Sequence, residues 1–471
     1  MADTISNIFT FMVLAPLIFD CCVINIDESN YLKNIKKAYL WTNFFVFLLA
    51  SWLLINFRAQ ETIFCNFGIV SLSINNISIY FVELTAFLFL LASAIALEEN
   101  FASAKKSILY AAFIESTLLL FFATNNVYAF FIFFELASLP LLIFIHQTAL
   151  VYGVFITSAL SLFSAIYLTG ITNISEITIL LNYTFNLHEE KIIFTLFFIT
   201  FIFKSVILPI YFWISDVEET VPQFLSVLLK GVIFNTGIYG IITVLQKIAP
   251  TMCANIHSTI NVLSLGIMLF SMFFILRKLE NKNNFFAGIF VFLMGLELLG
   301  AFSKNIYGIS GAIFCLISFG ISLPSLIFIV YLIRERNSGI LELRRDNSGF
   351  ISLSAPTVFT IPLLAVTFFP LLPCFVGMFF IVYGQMVSSF TLALLLSLII
   401  AVGSIFLLRH FAQYFLQNST QYTIRLKKRH CGFLLFICCL LFTLEIFSST
   451  ITESVKSHVQ KNLIPNRGII L

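Results

Sequence analysis

The feature that most constrains this chain is a succession of apolar segments that runs almost from one end to the other. An α-helix needs about 20 apolar residues to cross the hydrocarbon core of a bilayer. Only 10% of the 471 residues are charged and 60% are hydrophobic, whereas a soluble domain carries about 25% charged residues. The polar surface is too small to cover a globule in water, so we predict an all-α polytopic membrane protein.

About fourteen segments are long enough to span a membrane as helices. They are residues 7–25, 39–56, 75–97, 107–124, 127–146, 150–170, 192–213, 221–246, 257–276, 285–303, 307–333, 351–382, 386–408 and 431–449. The twelfth segment is too long for one straight span and contains four prolines. Because proline lacks the backbone N–H and interrupts helices, we expect a broken helix there.

The Lys and Arg residues are unevenly shared between the loops. Seventeen lie in loops that leave odd-numbered spans, and four lie in loops that leave even-numbered spans. Short loops rich in Lys and Arg remain on the inner side of a membrane, so both termini are expected on the outer side. The net charge of +3 is small and the basic residues lie in short loops. These features argue against a nucleic-acid partner.

Two ionisable residues lie deep within predicted spans. Glu135 is in the middle of the fifth span, and Lys204 lies five residues before Pro209, which is expected to break the seventh. Charges in the hydrocarbon region cost at least about 2.5–3.5 kcal/mol each and mark ion or proton paths. A carboxylate beside a buried ammonium keeps it charged, and moving the carboxylate away favours proton release. Glu135 and Lys204 are therefore predicted to form a switchable proton store.

Other buried ionisable residues allow more than one interpretation. Lys230 lies about ten residues into the eighth span and is predicted to be intramembrane. Glu297 could extend a polar axis or could bond a backbone group. Glu83 and Glu115 lie nearer the ends of their spans and are expected to be structural.

Several motifs in the same order resemble one family. Residues 132–140, Ile-Phe-Phe-Glu-Leu-Ala-Ser-Leu-Pro, are similar to the FFExxLIP motif of the antiporter-like subunits of NADH:ubiquinone oxidoreductase, respiratory complex I. Residues 305–312, with Ser-Phe-Gly at 318–320, resemble the pattern NIxGxxGA…SHG, and residues 372–377 resemble the helix break LPGxxGF. Residues 204–240 align with the lysine helix and the next helix without a gap. The likeness is strongest to subunit 4.

The resemblance implies an antiporter-like bundle with two inverted five-helix repeats, broken near Pro209 and Pro373. The expected organisation is a three-helix segment at 1–106, repeats at 107–246 and 257–408, and a basic loop, last helix and tail at 409–471. The implied function is proton translocation driven by electron transfer elsewhere in the complex. Glu135 would be the switching carboxylate and Lys204 the storing base, with Lys230 as a relay.

The sequence departs from the family at three positions of its central polar axis. Asn235 stands where the family has the lysine of the eighth helix, and Lys230 lies five residues earlier. The other two positions of the axis are occupied by the apolar residues Phe319 and Ile381. On an α-helix five residues correspond to about 7.5 Å and 140°, so Lys230 is not an automatic substitute. The alternatives are a sibling subunit (2 or 5), a subunit of a sodium/proton antiporter, or a scaffold that has lost pumping.

No cofactor site is expected on this chain. Its nine cysteines form no CxxC motif or metal-type spacing, and no glycine-rich phosphate loop is present. By resemblance, NADH, FMN, iron–sulfur clusters and ubiquinone would bind elsewhere in the complex. The expected partners are other membrane-arm subunits, including siblings, and lipids such as cardiolipin. The absence of a targeting segment and the 58 phenylalanines favour the mitochondrial inner membrane, with termini in the intermembrane space; a bacterial plasma membrane is the alternative.

Overall fold

A computed structural model describes most of the chain. The described residues are 2–57, 63–67, 70–99, 103–140, 148–172, 174, 176–180, 183–205, 221–277, 282–337, 350–411 and 423–463. They fall into two compact units, which divide between Ile256 and His257. The described residues from Ser457 to Leu463 belong to the first unit.

Up to Ile256 the elements are α1 (Ala2–Val23), α2 (Glu28–Asn56), β1 (Ile63–Phe67), β2 (Val70–Ile74), α3 (Ser78–Glu98), α4 (Ala104–Ala123), α5 (Val127–Leu136), α6 (Thr148–Thr172), α7 (Ile177–Leu180), α8 (Leu187–Lys204), α9 (Gln223–Leu228), α10 (Asn235–Gly240) and α11 (Gln246–Ile248). Two π-helical segments, Leu229–Ile233 and Ile241–Leu245, join the last three helices into one rod.

The remaining elements are α12 (Pro250–Arg277), α13 (Lys282–Ala301), α14 (Ile306–Asn337), β3 (Phe350–Ser354), α15 (Ala355–Val366), α16 (Pro373–Ser388), α17 (Phe390–Phe411), β4 (Thr423–Lys427), α18 (Lys428–Ile446) and α19 (Ser448–Leu463). The chain bends by 58° between α18 and α19. The predicted C-terminal tail therefore includes a further helix.

The prediction of an all-α membrane fold is confirmed, and two short strand pairs accompany the helices. Strand β1 pairs with β2, and β3 pairs with β4, each antiparallel. These segments lie between helices, where the backbone groups have no intrahelical partners. Pairing two extended segments satisfies those groups.

The number of spans stays a prediction. Within the described ranges, eight helices are long and apolar enough to cross a membrane, or nine if the bent pair α18–α19 counts as one span. Four shorter apolar segments lie at Val127–Leu136, Ala159–Thr172, Phe285–Ala301 and Pro373–Ser388. The two inverted repeats with the predicted boundaries likewise stay a prediction.

Two predicted spans differ from the structure. Residues 351–354 were predicted to be helical and instead form strand β3. The fifth span was predicted over 127–146, but α5 ends at Leu136, so Glu135 lies in its last turn and not in the middle of a helix. Hydropathy alone cannot show such an end, because apolar residues continue on both sides of it.

The helix break near Pro373 is confirmed. Helix α15 ends at Val366, and α16 begins with Pro373 at its first position, where a missing N–H costs nothing. Between them, Phe368 and Leu371 have positive φ angles of 59° and 77°. Pro209, the other expected break, lies outside the described residues.

Close packing of α16 against α14 generates a test of the fold. A Cβ added at Gly377 would lie 2.6 Å from Cys315 Sγ and 2.9 Å from the Cys315 backbone N, whereas nothing lies within 4 Å of one at Gly266. We expect Gly377→Ala to lower the free energy of unfolding by about 1–3 kcal/mol, and Gly266→Ala to change it by about 0.5 kcal/mol or less. Thermal unfolding of the detergent-solubilised protein measures both. Equal effects of the two changes would contradict this packing.

Candidate functional site

The structure brings Glu135 and Lys204 together from the ends of two helices. Helix α5 is started by Asn126, whose side chain accepts a hydrogen bond from the Ala129 backbone N–H at 3.2 Å, and Glu135 lies in its last turn. Helix α8 is started by a capping box of Asn186 and Glu189 and ends at Lys204. Both ionisable side chains are thereby placed where regular helix stops.

The ammonium of Lys204 has several partners. Its Nζ lies 3.9 Å from Glu135 Oε2, and the two side chains are only 8% and 7% exposed. The same Nζ donates to the backbone oxygen of Phe134 at 2.7 Å and to Ser138 Oγ at 2.6 Å. A carboxylate, a carbonyl and a hydroxyl thus surround one buried cation, which suits the three donors of an ammonium group.

The end of α5 makes the Phe134 carbonyl available. In a continuous helix the N–H of Ser138 would bond to that carbonyl, but here it bonds to Glu135 O at 2.9 Å. The last carbonyls of a helix lack intrahelical partners, and one of them accepts a proton of Lys204 instead. Neither Ser138 nor this carbonyl was predicted as part of the site. The Leu-Pro that follows Ser138 was the available signal of a helix end.

Aromatic side chains also lie next to the pair. The Lys204 ammonium lies 4.5 Å from the ring centroid of Phe134, a cation–π geometry. Phe134 packs edge-on against Phe201, with ring centroids 5.6 Å apart. Electrostatic interactions are stronger in such apolar surroundings than in water. The environment therefore favours an ion pair and makes an unpaired charge costly.

Two glycines of the neighbouring rod allow the end of α8, which carries Lys204, to pack closely against it. A Cβ at Gly237 would collide with Ser205 Oγ and the Phe201 carbonyl, and one at Gly240 would collide with the Phe201 ring. The close approach requires that both positions lack a side chain. The neighbouring helical rod therefore fixes where Lys204 is presented.

Lys230 lies on that rod in an unusual backbone segment. The rod begins at Gln223, where the Glu99 carboxylate accepts the N–H groups of Gln223 and Phe224 at 2.8 and 3.2 Å. Lys230 is buried within the π segment Leu229–Ile233, and its Nζ lies 3.5 Å from Ser226 Oγ. Single π turns frequently occur at functional sites, and sequence patterns did not predict this one.

The π segment changes the relation between Lys230 and Asn235. Phe234 N–H bonds to Leu229 O, five residues back, at 3.1 Å. Pairing over five residues winds the backbone less tightly than an α-helix. The offset of about 140° expected from α-helical winding is therefore too large. Asn235 is buried, and its amide nitrogen donates to Gly231 O at 2.9 Å.

The second unit contains Glu297 and the two apolar departures. Glu297 is fully buried on α13, and neither carboxyl oxygen has a hydrogen-bond partner among the described residues. Phe319 packs edge-on against Phe368 with centroids 5.4 Å apart. Ile381 is buried, and its side chain would lie 2.9 Å from a Cβ at Gly300. Apolar packing thus occupies the two positions where the resembling family carries polar residues.

No metal site is evident in the part of the chain that the structure describes. There, no three His, Cys, Asp or Glu side chains are grouped closely enough to hold an ion. The eight described cysteines are free thiols, and those at 21, 22 and 439 are exposed.

Comparison with known proteins identifies relatives over most of the chain. The chain is 25% identical over 418 residues to NADH-ubiquinone oxidoreductase chain 4 of Marchantia polymorpha, covering 83% of each. It is 26% identical over 440 residues to NADH-quinone oxidoreductase subunit M of Rickettsia typhi, covering 90% of this chain and 83% of the relative.

Solved structures share the antiporter-like fold. A chain of respiratory complex I from Thermus thermophilus with bound NADH matches with a TM-score of 0.82 at 18% identity, covering 97% of this chain and 99% of that one. A chain of the Mrp complex from Dietzia sp. DQ12-45-1b matches with a TM-score of 0.78 at 13% identity, covering 98% of each. Residues 124–407 match the family model described as NADH:quinone oxidoreductase/Mrp antiporter, TM. This multi-pass membrane chain therefore belongs to the NADH:quinone oxidoreductase/Mrp antiporter family.

Proposed function

We propose that this chain is a proton-translocating, antiporter-like subunit in the membrane arm of NADH:quinone oxidoreductase. The observation that carries the proposal is the buried pair of Glu135 and Lys204, held at the ends of two helices. The relatives named chain 4 and subunit M favour the position of subunit 4 over the sibling subunits. Electron transfer from NADH to quinone would take place on other subunits.

In this mechanism Lys204 stores the proton and Glu135 controls its release. Two unit charges about 4 Å apart interact by about 4 kcal/mol at an effective dielectric constant of 20. Separating Glu135 from Lys204 removes this electrostatic stabilisation from the buried ammonium, which lies beside the Phe134 ring. Since burial disfavours an uncompensated charge, the proton is released. Return of the carboxylate favours reloading.

Further transfer would proceed through the neighbouring rod. Lys230 is the predicted relay that follows Lys204 in the sequence. Its π segment places Asn235 closer to the helix face of Lys230 than an α-helix would. Asn235 can position water but cannot itself carry a positive charge. Glu297 would serve the second unit, because it is the buried carboxyl of α13.

Partners and membrane follow from complex membership. The neighbours would be other membrane-arm subunits, including antiporter-like siblings, and lipids such as cardiolipin. Relatives come from mitochondria-bearing and bacterial sources alike. We favour the mitochondrial inner membrane on the abundance of phenylalanine, with 58 residues, and the distribution of basic loops would place both termini in the intermembrane space. NADH, FMN, iron–sulfur clusters and ubiquinone would be bound by other chains.

A structural scaffold without pumping is the second candidate function. Its support is the apolar packing of Phe319 and Ile381 and the aromatic walls around Lys204. A scaffold needs the fold and the contacts with neighbouring subunits, but it does not need the Glu135 carboxylate to separate from Lys204. The two candidates therefore differ in what neutral substitutions at the pair would do.

Variants of the pair distinguish pumping from a scaffold role. In the assembled complex we expect Glu135→Gln and Lys204→Met each to lower proton pumping and coupled NADH oxidation about tenfold or more, since a positioned proton donor or acceptor is lost. Lys191→Met is the matched control, because Lys191 is an exposed lysine of the same helix. Proton uptake in reconstituted vesicles is the measurement. Unchanged pumping in both site variants would establish the scaffold role.

Membership of the complex has its own test. After gentle solubilisation, native electrophoresis should place this chain in a large band that also stains for NADH oxidation, because subunit contacts survive mild detergent. A tagged chain and an in-gel stain suffice. Migration only as a small species without the stain would contradict complex membership and favour a separate antiporter.

The energetics of the ion pair are measured by a double-variant cycle. Removing one member of a buried pair costs about 3–5 kcal/mol, whereas the Glu135→Gln, Lys204→Met double variant leaves no net charge unpaired. We expect the double variant to unfold with a coupling energy of about 0.5–3 kcal/mol relative to the sum of the single variants. Strictly additive effects on thermal unfolding would show that the two charges do not interact.

A further inference from the structure

A second group of buried polar residues lies in the first unit, between α1, α2 and α4. It consists of Asp20 on α1, Tyr39 and Asn43 one turn apart on α2, and Glu115 on α4; we call it the α1–α2–α4 cluster. These helices pack against one another. Tyr39, Asn43 and Glu115 are fully buried, while Asp20 is partly exposed. Both carboxyl groups interact electrostatically with Tyr39, and Asp20 also acts on Glu115.

The cluster holds three buried carboxyl oxygens that have no hydrogen-bond partner among the described residues: Asp20 Oδ1, Glu115 Oε1 and Glu115 Oε2. The side chains of Tyr39 and Asn43 interact with each other. The amide nitrogen of Asn43 donates to the Phe89 carbonyl at 3.3 Å, which fixes the orientation of the amide. More than 90% of buried polar groups in proteins are bonded. Several unsatisfied acceptors in one place indicate that the cluster binds a proton or a hydrogen-bond donor.

The described lysines of α2 and α4 are either exposed or donate to backbone carbonyls. Lys36 donates to Glu99 O at 2.6 Å, and Lys105 Nζ donates to Ile24 O and Ile26 O at 2.7 Å each. A buried carboxylate without a counter-charge is prohibitively costly, so it takes up a proton.

Two other acidic groups of the packed helices have hydrogen-bond donors of their own. Glu83 on α3 accepts a hydrogen bond from Ser51 Oγ at 2.8 Å through one of its oxygens. Glu28 at the start of α2 accepts the backbone N–H of Lys105 at 3.2 Å. Asp20 is the acidic group that acts electrostatically on Glu115.

The cluster is connected to one end of the bundle. The contacts of Lys105 with Glu28, Ile24 and Ile26 place the start of α4 and the α1–α2 turn at the same end. Glu115 lies ten residues beyond Lys105 on α4, which is about 15 Å from that end of the bundle. Asp20 lies four residues before Ile24 on α1, which is only about 6 Å from the same end. Asp20 thus lies between the water at that end and the sealed Glu115.

We propose that Glu115 is a second proton-binding site, surrounded by Tyr39 and Asn43 and loaded through Asp20. In each exchange a proton moves from water to the Asp20 carboxylate and on to the Glu115 carboxylate through the Tyr39 hydroxyl, which accepts one proton as it donates its own and interacts with both carboxyl groups; the reverse transfers unload the site. No electrons move and no bond other than O–H changes. The proposal does not depend on the proposed function, since the site can exchange protons whether or not the chain pumps.

The test is infrared difference spectroscopy of the intact complex during exchange from H2O to D2O. A protonated carboxyl has a C=O stretch that shifts on deuteration, so wild type should show a band that Glu115→Gln lacks. Glu453→Gln, at an exposed carboxyl, should keep the band. Persistence of the full band in assembled Glu115→Gln complex would overturn the proposal. Disappearance of the band on addition of sodium chloride would overturn it in favour of a sodium site.

A second variant tests the route. Asp20→Asn should slow deuteration of the Glu115 band about tenfold or more, because the carboxyl group that exchanges protons with water is lost. Asp27→Asn, at an exposed position of the α1–α2 turn, should leave the rate unchanged. Equal rates in Asp20→Asn and wild type would overturn the Asp20 route. The band should persist in Glu135→Gln, so this test and the test of pumping can fail separately.

Discussion

The architecture of the first unit depends on one requirement: a buried ammonium must find partners that lipid cannot provide. Two interrupted helices meet this requirement for Lys204. The early end of α5 frees the Phe134 carbonyl and places Ser138 and Glu135 beside it, and the end of α8 presents the lysine. Irregular backbone is tolerated at membrane depth where it is buried in protein. The interruptions are thus what makes a stable site for the charge.

Sequence reasoning predicted the kind of site but not its construction. Hydropathy and the cost of buried charge were sufficient to select Glu135 and Lys204. Proline content predicted that the twelfth segment is broken, and the family resemblance placed the break near Pro373. The Phe134 carbonyl could not be predicted, because its availability depends on which backbone N–H groups bond at the end of α5. The π segment that carries Lys230 was missed for a similar reason, since hydrophobic periodicity does not distinguish bonding over four residues from bonding over five.

The two units use their buried polar residues differently. The first retains a cation with a carboxylate within 4.0 Å of it. In the second, Phe319 and Ile381 are packed against apolar neighbours, and Glu297 is a buried carboxyl without an ion-pair partner in the described ranges. A protonated Glu297 would be compatible with that environment. The proposed charge-switching step therefore belongs to the first unit.

Glu135, Lys204 and Lys230 should be joined by a proton path if the chain pumps protons. A high-resolution cryo-electron microscopy structure of the intact complex, with ordered water resolved, tests that claim most directly. We predict a chain of waters from the Lys204 ammonium to Lys230, with Asn235 bonded to one of them. Phenylalanine side chains filling the space between the two lysines, with no water density, would contradict the account and leave a scaffold.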